Sequence, residues 1–436
     1  MRRLSWPLLG ALVAAAAPRE AWDDLSWLGG GFAGAACGGE RWLVAYNDTQ
    51  NRMLDGRLAP RFVVVRPHGR AGLGNRLRAV RAGLAIAALS GRALVLDYGR
   101  IPGRPATDSL ANRTELSYLA PGLVRWDGAA RLYETAREKR GPAFASTTLP
   151  NNARGLDAAA LPKSTVGALV VDGWNHDPTA RIRAAAGAAA AAAGLGPEVS
   201  DARYGSCALR ALFRPTPRLV AELDGARSDL GGAALDAAIH LRTNIEFAND
   251  WGDGNCRDVT CWSRVAAAFA ACARAAGGDR AGTRTLLVAA DDRSLVDAVL
   301  RAEGGARFTA VALPAHHRHH SGMSRPLWGL KAETAERRAF GHGDVLGPLL
   351  DLLLLASATV FVGTSGSSFS EQALAWGAYA GAADDASAPS RAAVVFKTPF
   401  VKSGQSGAGA VYGPKVPATP AAATALCAAP LVKFDP

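Results

Sequence analysis

The chain has 436 residues, 49% of them hydrophobic and 20% charged, with a formal net charge of +11 at pH 7. That length and apolar content support two α/β domains and exclude a chain too poor in apolar residues to fold. The positive excess is arginine scattered through alanine-rich sequence, with no basic run interleaved with aromatics, which excludes nucleic acid as a partner.

Residues 1–19 open with Arg2 and Arg3, continue through an apolar stretch from Leu4 to Val13 and close on small residues from Ala14 to Ala17. This is the order of a secretory signal peptide. The apolar part falls short of the ~20 residues of a spanning helix, which leaves a cleaved signal peptide or a short signal anchor. Cys37, Cys207, Cys256, Cys261, Cys272 and Cys427 make an even count, enough for three disulfides whose pairing stays open. Asn47-Asp48-Thr49 and Asn112-Arg113-Thr114 fit the N-glycosylation pattern. These features agree on the lumen of the secretory pathway, endoplasmic reticulum or Golgi. Residues 20–60, with Trp22, Trp27 and Trp42, read as an irregular lead-in packed on the first domain.

That first α/β domain is expected over residues 61–230. Arg61 to Arg66 is a β-branched run and reads as a buried strand. Pro67 to Gly74 is a glycine-rich loop, and Asn75 to Ser90 carries Leu77, Val80, Leu84, Ala88 and Leu89 on one helical face. Gly91 stops that helix and Ala93 to Leu96 reads as the next strand. Such a unit presents loop amides to an anion at a helix N-terminus. The loop lacks the lysine and hydroxyl of a P-loop and does not match the dinucleotide fingerprint; it carries Gly72-Leu73-Gly74-Asn75-Arg76 instead. Further on, Ala168 to Asp172 reads as a strand and Arg181 to Gly194 as an alanine-rich helix. Pro215 and Pro217 bracket a loop into a helix from about Arg218. Residues 100–165 offer no specificity signal.

A second series occupies residues 231–436. Strands are expected over Leu235 to Leu241, Arg284 to Ala290, Arg307 to Ala312 and Ala358 to Val362. Helices are expected over Trp262 to Ala276, Ser294 to Arg301, Val345 to Ser357 and from Phe369. This alternation predicts a parallel sheet with helices on both faces. Residues 345–362 are strongly apolar, but Asp351 interrupts them, and a buried helix followed by a strand accounts for them better than a membrane span.

Three strings in this order carry chemistry. His240-Leu241-Arg242 ends a strand, where ligands of open α/β sheets bind, and a guanidinium there can grip a diphosphate bidentately. Glu246, Asp250 and Asp253 come closely enough after it to be candidates for a general base. Leu286 to Asp292 is a strand ending in Asp291 and Asp292; a carboxylate there can accept from the ring N–H and amine of guanine together, or Asp292 can cap the helix from Ser294. Val360 to Ser370 runs from a strand through Gly363-Thr364-Ser365-Gly366-Ser367-Ser368-Phe369 into a helix, an anion site of amides and hydroxyls. The tract His316 to His320 lacks spaced carboxylates and reads as a cleft-side loop touching an acceptor rather than a metal centre.

The Gly72–Arg76 string resembles the first motif of the GDP-fucose fucosyltransferases. His240-Leu241-Arg242 resembles their second motif, and Asp250-Trp251 with Cys256 its protein O-fucosyltransferase version. The paired acids and the Ser367-Ser368-Phe369 turn resemble the family's later strings. The resemblance spans residues 61–98 and 235–380. It implies two Rossmann-like domains facing across a cleft (GT-B type), residues 61–230 on the acceptor side and residues 231–436 binding GDP-fucose. It also implies inverting transfer of fucose to a hydroxyl of a glycan or a protein Ser/Thr. By that resemblance Gly72, Gly74, Asn75, Arg76, His240, Arg242, Asp291, Asp292, Ser367, Ser368 and Phe369 bind the donor, and Arg242, Glu246 and Asp250 are catalytic candidates. No cofactor and no divalent metal is implied, because arginine and loop amides replace the ion. The partners implied are GDP-fucose and a glycan or glycoprotein acceptor, with membrane association only through a retained signal anchor. Thr243 and Asn244 stand where many members carry a second arginine or an acid, so the base stays open. Two other readings remain: a related transferase for another nucleotide sugar, and an inactive lumenal glycan-binding protein on the same fold.

Overall fold

The computed structural model describes residues 37, 39–67, 72–98, 115–150, 153–174, 178–232, 235–242, 259–276, 284–290, 295–297, 299–300, 308–311, 345–377, 392–396 and 420–428. The leader, Trp22, Trp27, Asn112, Glu246, Asp250, Asp253, Cys256, Asp291, Asp292 and the His316–His320 tract lie outside the described residues.

Among the described residues the first element is α1 (Arg41–Leu54), so a 14-residue part of the stretch expected to be irregular is a helix. Its Trp42, Leu43, Tyr46, Gln50 and Met53 are buried, a spacing of three and four that lays one face on the protein. The first glycosylation triplet sits on this helix rather than in a loop, with the Thr49 hydroxyl donating to the Ala45 carbonyl at 2.9 Å. Then come β1 (Phe62–Arg66), α2 (Leu73–Ser90) and β2 (Ala93–Leu96). α2 starts two residues before the predicted Asn75, which puts Gly74 and Asn75 in its first turn, and Gly91 closes it at φ 57°.

β3 (Leu119–Pro121), α3 (Trp126–Arg140) and β4 (Ser146–Thr148) occupy a segment in which no element was legible. α3 buries only Trp126, Ala129 and Tyr133 along an otherwise charged helix, too thin a stripe to read as a helical period. β5 (Ala168–Asp172) comes next, as predicted. The alanine-rich helix divides at Gly187 (φ 50°) into α4 (Thr179–Ala186) and α5 (Ala188–Ala192). α6 (Asp201–Leu212), unpredicted, is capped by the Ser200 hydroxyl and leads through β6 (Phe213–Pro215) to α7 (Pro217–Asp229).

The second series is β7 (Ala237–Leu241), α8 (Val259–Ala276), β8 (Arg284–Ala290), β9 (Phe308–Val311), α9 (Leu346–Ser357), β10 (Val360–Thr364), α10 (Ser368–Gly377), β11 (Ala392–Phe396) and α11 (Pro420–Ala428). β10 ends two residues beyond its predicted end, and this makes Thr364 its last residue. The apolar stretch from residue 345 is the buried helix and strand expected, and among the described residues no helix is long and apolar enough to cross a membrane.

Two main sheets result among the described residues, both parallel throughout. The first has the order β2-β1-β5-β4 and the second β11-β10-β7-β8-β9. β1 and β2 of the first and β7 and β10 of the second are buried on both faces, as strands of parallel sheets between helices are, while the edge strand β4 is exposed. In the first, Val63, Val65, Leu94 and Leu169 pack with α2, while Phe62, Val64, Val95 and Val170 pack with Ala129 and Tyr133 of α3. In the second, Ala237, Ile239, Leu241 and Val288 pack with Val265, Phe269 and Cys272 of α8, while Ala238, Leu287 and Phe361 turn the other way. That other face joins the same apolar cluster as the α2 side of the first sheet, through α9 and α10. The two halves therefore share one continuous core.

Cys37 pairs with Cys207, and Cys272 with Cys427. They close chain separations of 170 and 155 residues. Replacing Cys37 and Cys207 together by alanine is expected to lower stability by about 2–5 kcal/mol, because the unfolded chain regains a long loop's freedom. Denaturant unfolding of the oxidised protein against the double variant measures it, and equal midpoints would refute it.

Candidate functional site

The period of two along β7 determines which way its end residues face. Ala237, Ile239 and Leu241 belong to the α8 side, so Ala238 and His240 face the shared core, and Arg242 is the first residue past the strand. His240 is buried and Arg242 half-buried. His240, on that face, and Arg242, one residue past the strand, thus stand at the carboxyl edge of the second sheet.

β10 lies beside β7 and supplies a clip. The Thr364 hydroxyl donates to the His240 carbonyl at 3.0 Å and accepts from the Arg242 backbone N–H at 3.0 Å. Thr364 is fully buried, so its one hydroxyl fixes the backbone on both sides of Leu241. The Thr364 N–H donates to the Ser370 hydroxyl oxygen at 3.1 Å, and that oxygen is 2.7 Å from His240 Nδ1. The Phe369 ring lies 4.9 Å from the His240 ring, tilted 34°. Ser367 is buried and its hydroxyl caps α10, accepting from the Ser370 N–H at 3.4 Å. Gly366 is exposed, and Ser368 and Phe369 are half-buried above this base. Among the described residues the Ser368 and Phe369 amides take no hydrogen-bond partner, as first-turn amides of a helix are left to do.

The first half meets this turn through α2. A Cβ placed on Gly74 would lie 2.6 Å from the Ser368 carbonyl carbon and 2.7 Å from the Phe369 nitrogen. Only glycine admits so close an approach of two helix N-termini. Gly72, the N-cap of α2, provides no side-chain cap. Behind the contact, Arg78 Nε donates to Glu371 Oε2 at 2.8 Å and Arg78 Nη1 to Asn75 Oδ1 at 3.2 Å. The guanidinium is a donor only, so it holds the oxygen of the Asn75 amide and turns the NH₂ group the other way. Arg81 Nη1 donates to Gln372 Oε1 at 3.2 Å, and Tyr204 Oη donates to the Arg81 carbonyl at 2.6 Å, which ties α6 into the same junction.

Arg76 goes elsewhere. Its guanidinium pairs with Glu115, Nη2 to Oε2 at 2.8 Å, and Tyr98 Oη donates to Glu115 Oε1 at 2.5 Å. All three are buried. Burial works against the charge of Arg76, but the charge and hydrogen bond of Glu115 outweigh it and its pKa rises. Burial, with the Glu115 charge, pushes the Tyr98 hydroxyl well above its ordinary range. This pair anchors the first turn of α2 from behind.

The structure thus gathers Gly72, Gly74, Asn75, His240, Arg242, Ser367, Ser368 and Phe369 at one junction, with Arg76 turned to Glu115. Thr364 and Ser370 stand in the Val360–Ser370 string without a role of their own in the sequence, and Arg78 and Glu371 stand in no motif read there. The clip made by Thr364 is hidden by a strand boundary set two residues short. Ser370 had a local signal, its place three residues after the capping Ser367. For Arg78 and Glu371, 293 residues apart, no local signal exists. Among the described residues no group of three His, Cys, Asp or Glu side chains could hold a metal ion.

Solved structures to which this chain is similar include fucosyltransferases. One is the NodZ α-1,6-fucosyltransferase of Bradyrhizobium, soaked with GDP-fucose: 14% identical, covering 72% of this chain and 91% of that one, TM-score 0.42. Another is an Arabidopsis thaliana FUT1 mutant in complex with GDP: 13% identical, covering 77% and 76%, TM-score 0.45. A third is POFUT1 in complex with GDP-fucose: 11% identical, covering 76% and 97%, TM-score 0.38. No protein family and no curated protein matches the chain. What the site does is read from its own residues.

Proposed function

We propose that this chain is an inverting fucosyltransferase, moving fucose from GDP-fucose to a hydroxyl of a glycan or of a protein Ser/Thr. The observation that carries this reading is the junction itself: two helix N-termini in backbone contact beside a fixed arginine at a sheet's carboxyl edge. Helix N-termini favour anions through their amides and dipole, and a guanidinium adds a permanent charge.

In the proposed reaction the acceptor oxygen attacks the anomeric carbon from the face opposite GDP. The bond to the leaving oxygen breaks and its electron pair passes to the β-phosphate. Arg242 meets that growing charge, and the α10 amides with Ser368 hold the diphosphate. Positive charge from arginine and amides takes the place of a divalent ion, so the proposed reaction needs no metal. Asn75, oriented by Arg78, lines the cleft from the first half. Asp291 and Asp292 come directly after β8, whose Ala290 is in register with Leu241, and are proposed to contact guanine. Glu246, Asp250 and Asp253 are the proposed pool for a base that takes the acceptor's proton.

On this reading residues 61–230 form the acceptor side and residues 231–436 the donor side of a GT-B cleft. The two disulfides and the leader-like first 19 residues favour work in the secretory lumen. The test is thermal stability of the purified chain with GDP, UDP and ADP. GDP alone should stabilise, by about 2.7 kcal/mol at 100 times its dissociation constant. Stabilisation by UDP instead would point to a different nucleotide sugar, and none by any nucleotide would overturn the proposal.

A further inference from the structure

The hydrogen bonds at the base of the junction decide the protonation of His240. Ser370 is fully buried on the first turn of α10, and its hydroxyl oxygen has two neighbours among the described residues: the Thr364 N–H at 3.1 Å and His240 Nδ1 at 2.7 Å. The Thr364 N–H is a donor and nothing else, so the Ser370 oxygen accepts from it. The hydroxyl hydrogen then needs an acceptor. The Ser370 N–H is already a donor to Ser367, and the Thr364 hydroxyl is committed to the His240 carbonyl and the Arg242 N–H. The acceptor left is His240 Nδ1. A proton on Nδ1 would leave the Ser370 oxygen accepting twice and its own hydrogen stranded in a fully buried place, a penalty that native interiors avoid.

We infer that Ser370 is a positioning residue that holds His240 neutral in the tautomer with its proton on Nε2. The inference rests on the proposed nucleotide site for its function, though not for its geometry. The ring edge away from Ser370 then carries an N–H, a donor. A donor suits the oxygens of a diphosphate, and the same proton removes the lone pair that a base at Nε2 would need. His240 therefore binds the leaving group and takes no proton from the acceptor. Phe369, its ring tilted at 4.9 Å, and the Thr364 clip keep the ring from turning over to exchange its two nitrogens.

The test uses the full chain labelled with ¹⁵N-histidine, its His240 signals assigned by their loss in His240→Gln. Wild type should show Nδ1 as an unprotonated acceptor and Nε2 as a protonated nitrogen, with or without GDP. Ser370→Ala should mix the tautomers and weaken GDP binding about tenfold, the scale of one hydrogen bond to a charged group. Ser370→Thr should restore both. A proton on Nδ1 in wild type, or ring signals unchanged in Ser370→Ala, overturns the inference even where GDP binds. Failure of wild type to bind GDP overturns the proposed function and leaves the tautomer to be decided by the ring signals alone.

Discussion

Replacing Arg242 by alanine is expected to lower kcat by roughly 10³-fold while the protein stays folded. The side chain is half-buried at a strand end, so its loss leaves no large cavity in the core. Its backbone N–H is bonded to Thr364, and a substitution leaves that bond in place. In the proposed mechanism, what disappears is the charge that meets the β-phosphate as it becomes more negative and the sugar leaves. An interaction stronger in the transition state than in the ground state acts on kcat more than on KM. Arg242→Lys should recover only part of the rate, because an ammonium keeps the charge and loses the planar two-pronged contact. Steady-state kinetics with GDP-fucose and an acceptor hydroxyl measure both variants. A kcat for Arg242→Ala within a few-fold of wild type would remove this residue from the proposed mechanism.

The two glycines of the first motif should respond oppositely to the same change. Gly74→Ala puts a methyl group 2.6 Å from the Ser368 carbonyl carbon and 2.8 Å from its oxygen. Both are backbone atoms, so nothing nearby can swing aside, and α2 and α10 must separate. Overpacking of this kind costs about 1–3 kcal/mol, and a shift near 1 Å between catalytic groups can cost roughly 10²-fold in rate. Gly72→Ala meets nothing within 4 Å and keeps φ at −61°, so its fold should be as stable as wild type. Denaturant midpoints and turnover of the two variants check this pair. Equal stability of Gly74→Ala and Gly72→Ala would show that the helix contact is not held as described.

Both glycines are legible in sequence as one motif, yet their separate jobs are not. Gly74 is required by the backbone of a turn almost three hundred residues later, and no spacing within the motif records that. The same holds for Arg76. Its place in the string suggests a ligand contact, whereas the fold brings up Glu115 and Tyr98 and buries its guanidinium against them. The acids after Arg242 and after β8 were candidates from the sequence and remain so, since they lie outside the described residues.

What the sequence by itself determined was local. A run of β-branched residues, a 3.6-residue apolar period and a stopping glycine are properties of neighbours in the chain, and β1, α2, β2, β5 and β8 arise from them nearly residue for residue. The His240-Leu241-Arg242 string likewise marks the end of a strand from sequence alone, and β7 closes at Leu241. Tertiary structure decided the rest, because hydrogen bonds and steric contacts act between atoms close in space, whatever their separation in the chain. His240 finds Ser370 across 130 residues and Arg78 finds Glu371 across 293. Those meetings bring three separate motifs to one junction, and they depend on two sheets sharing a single core.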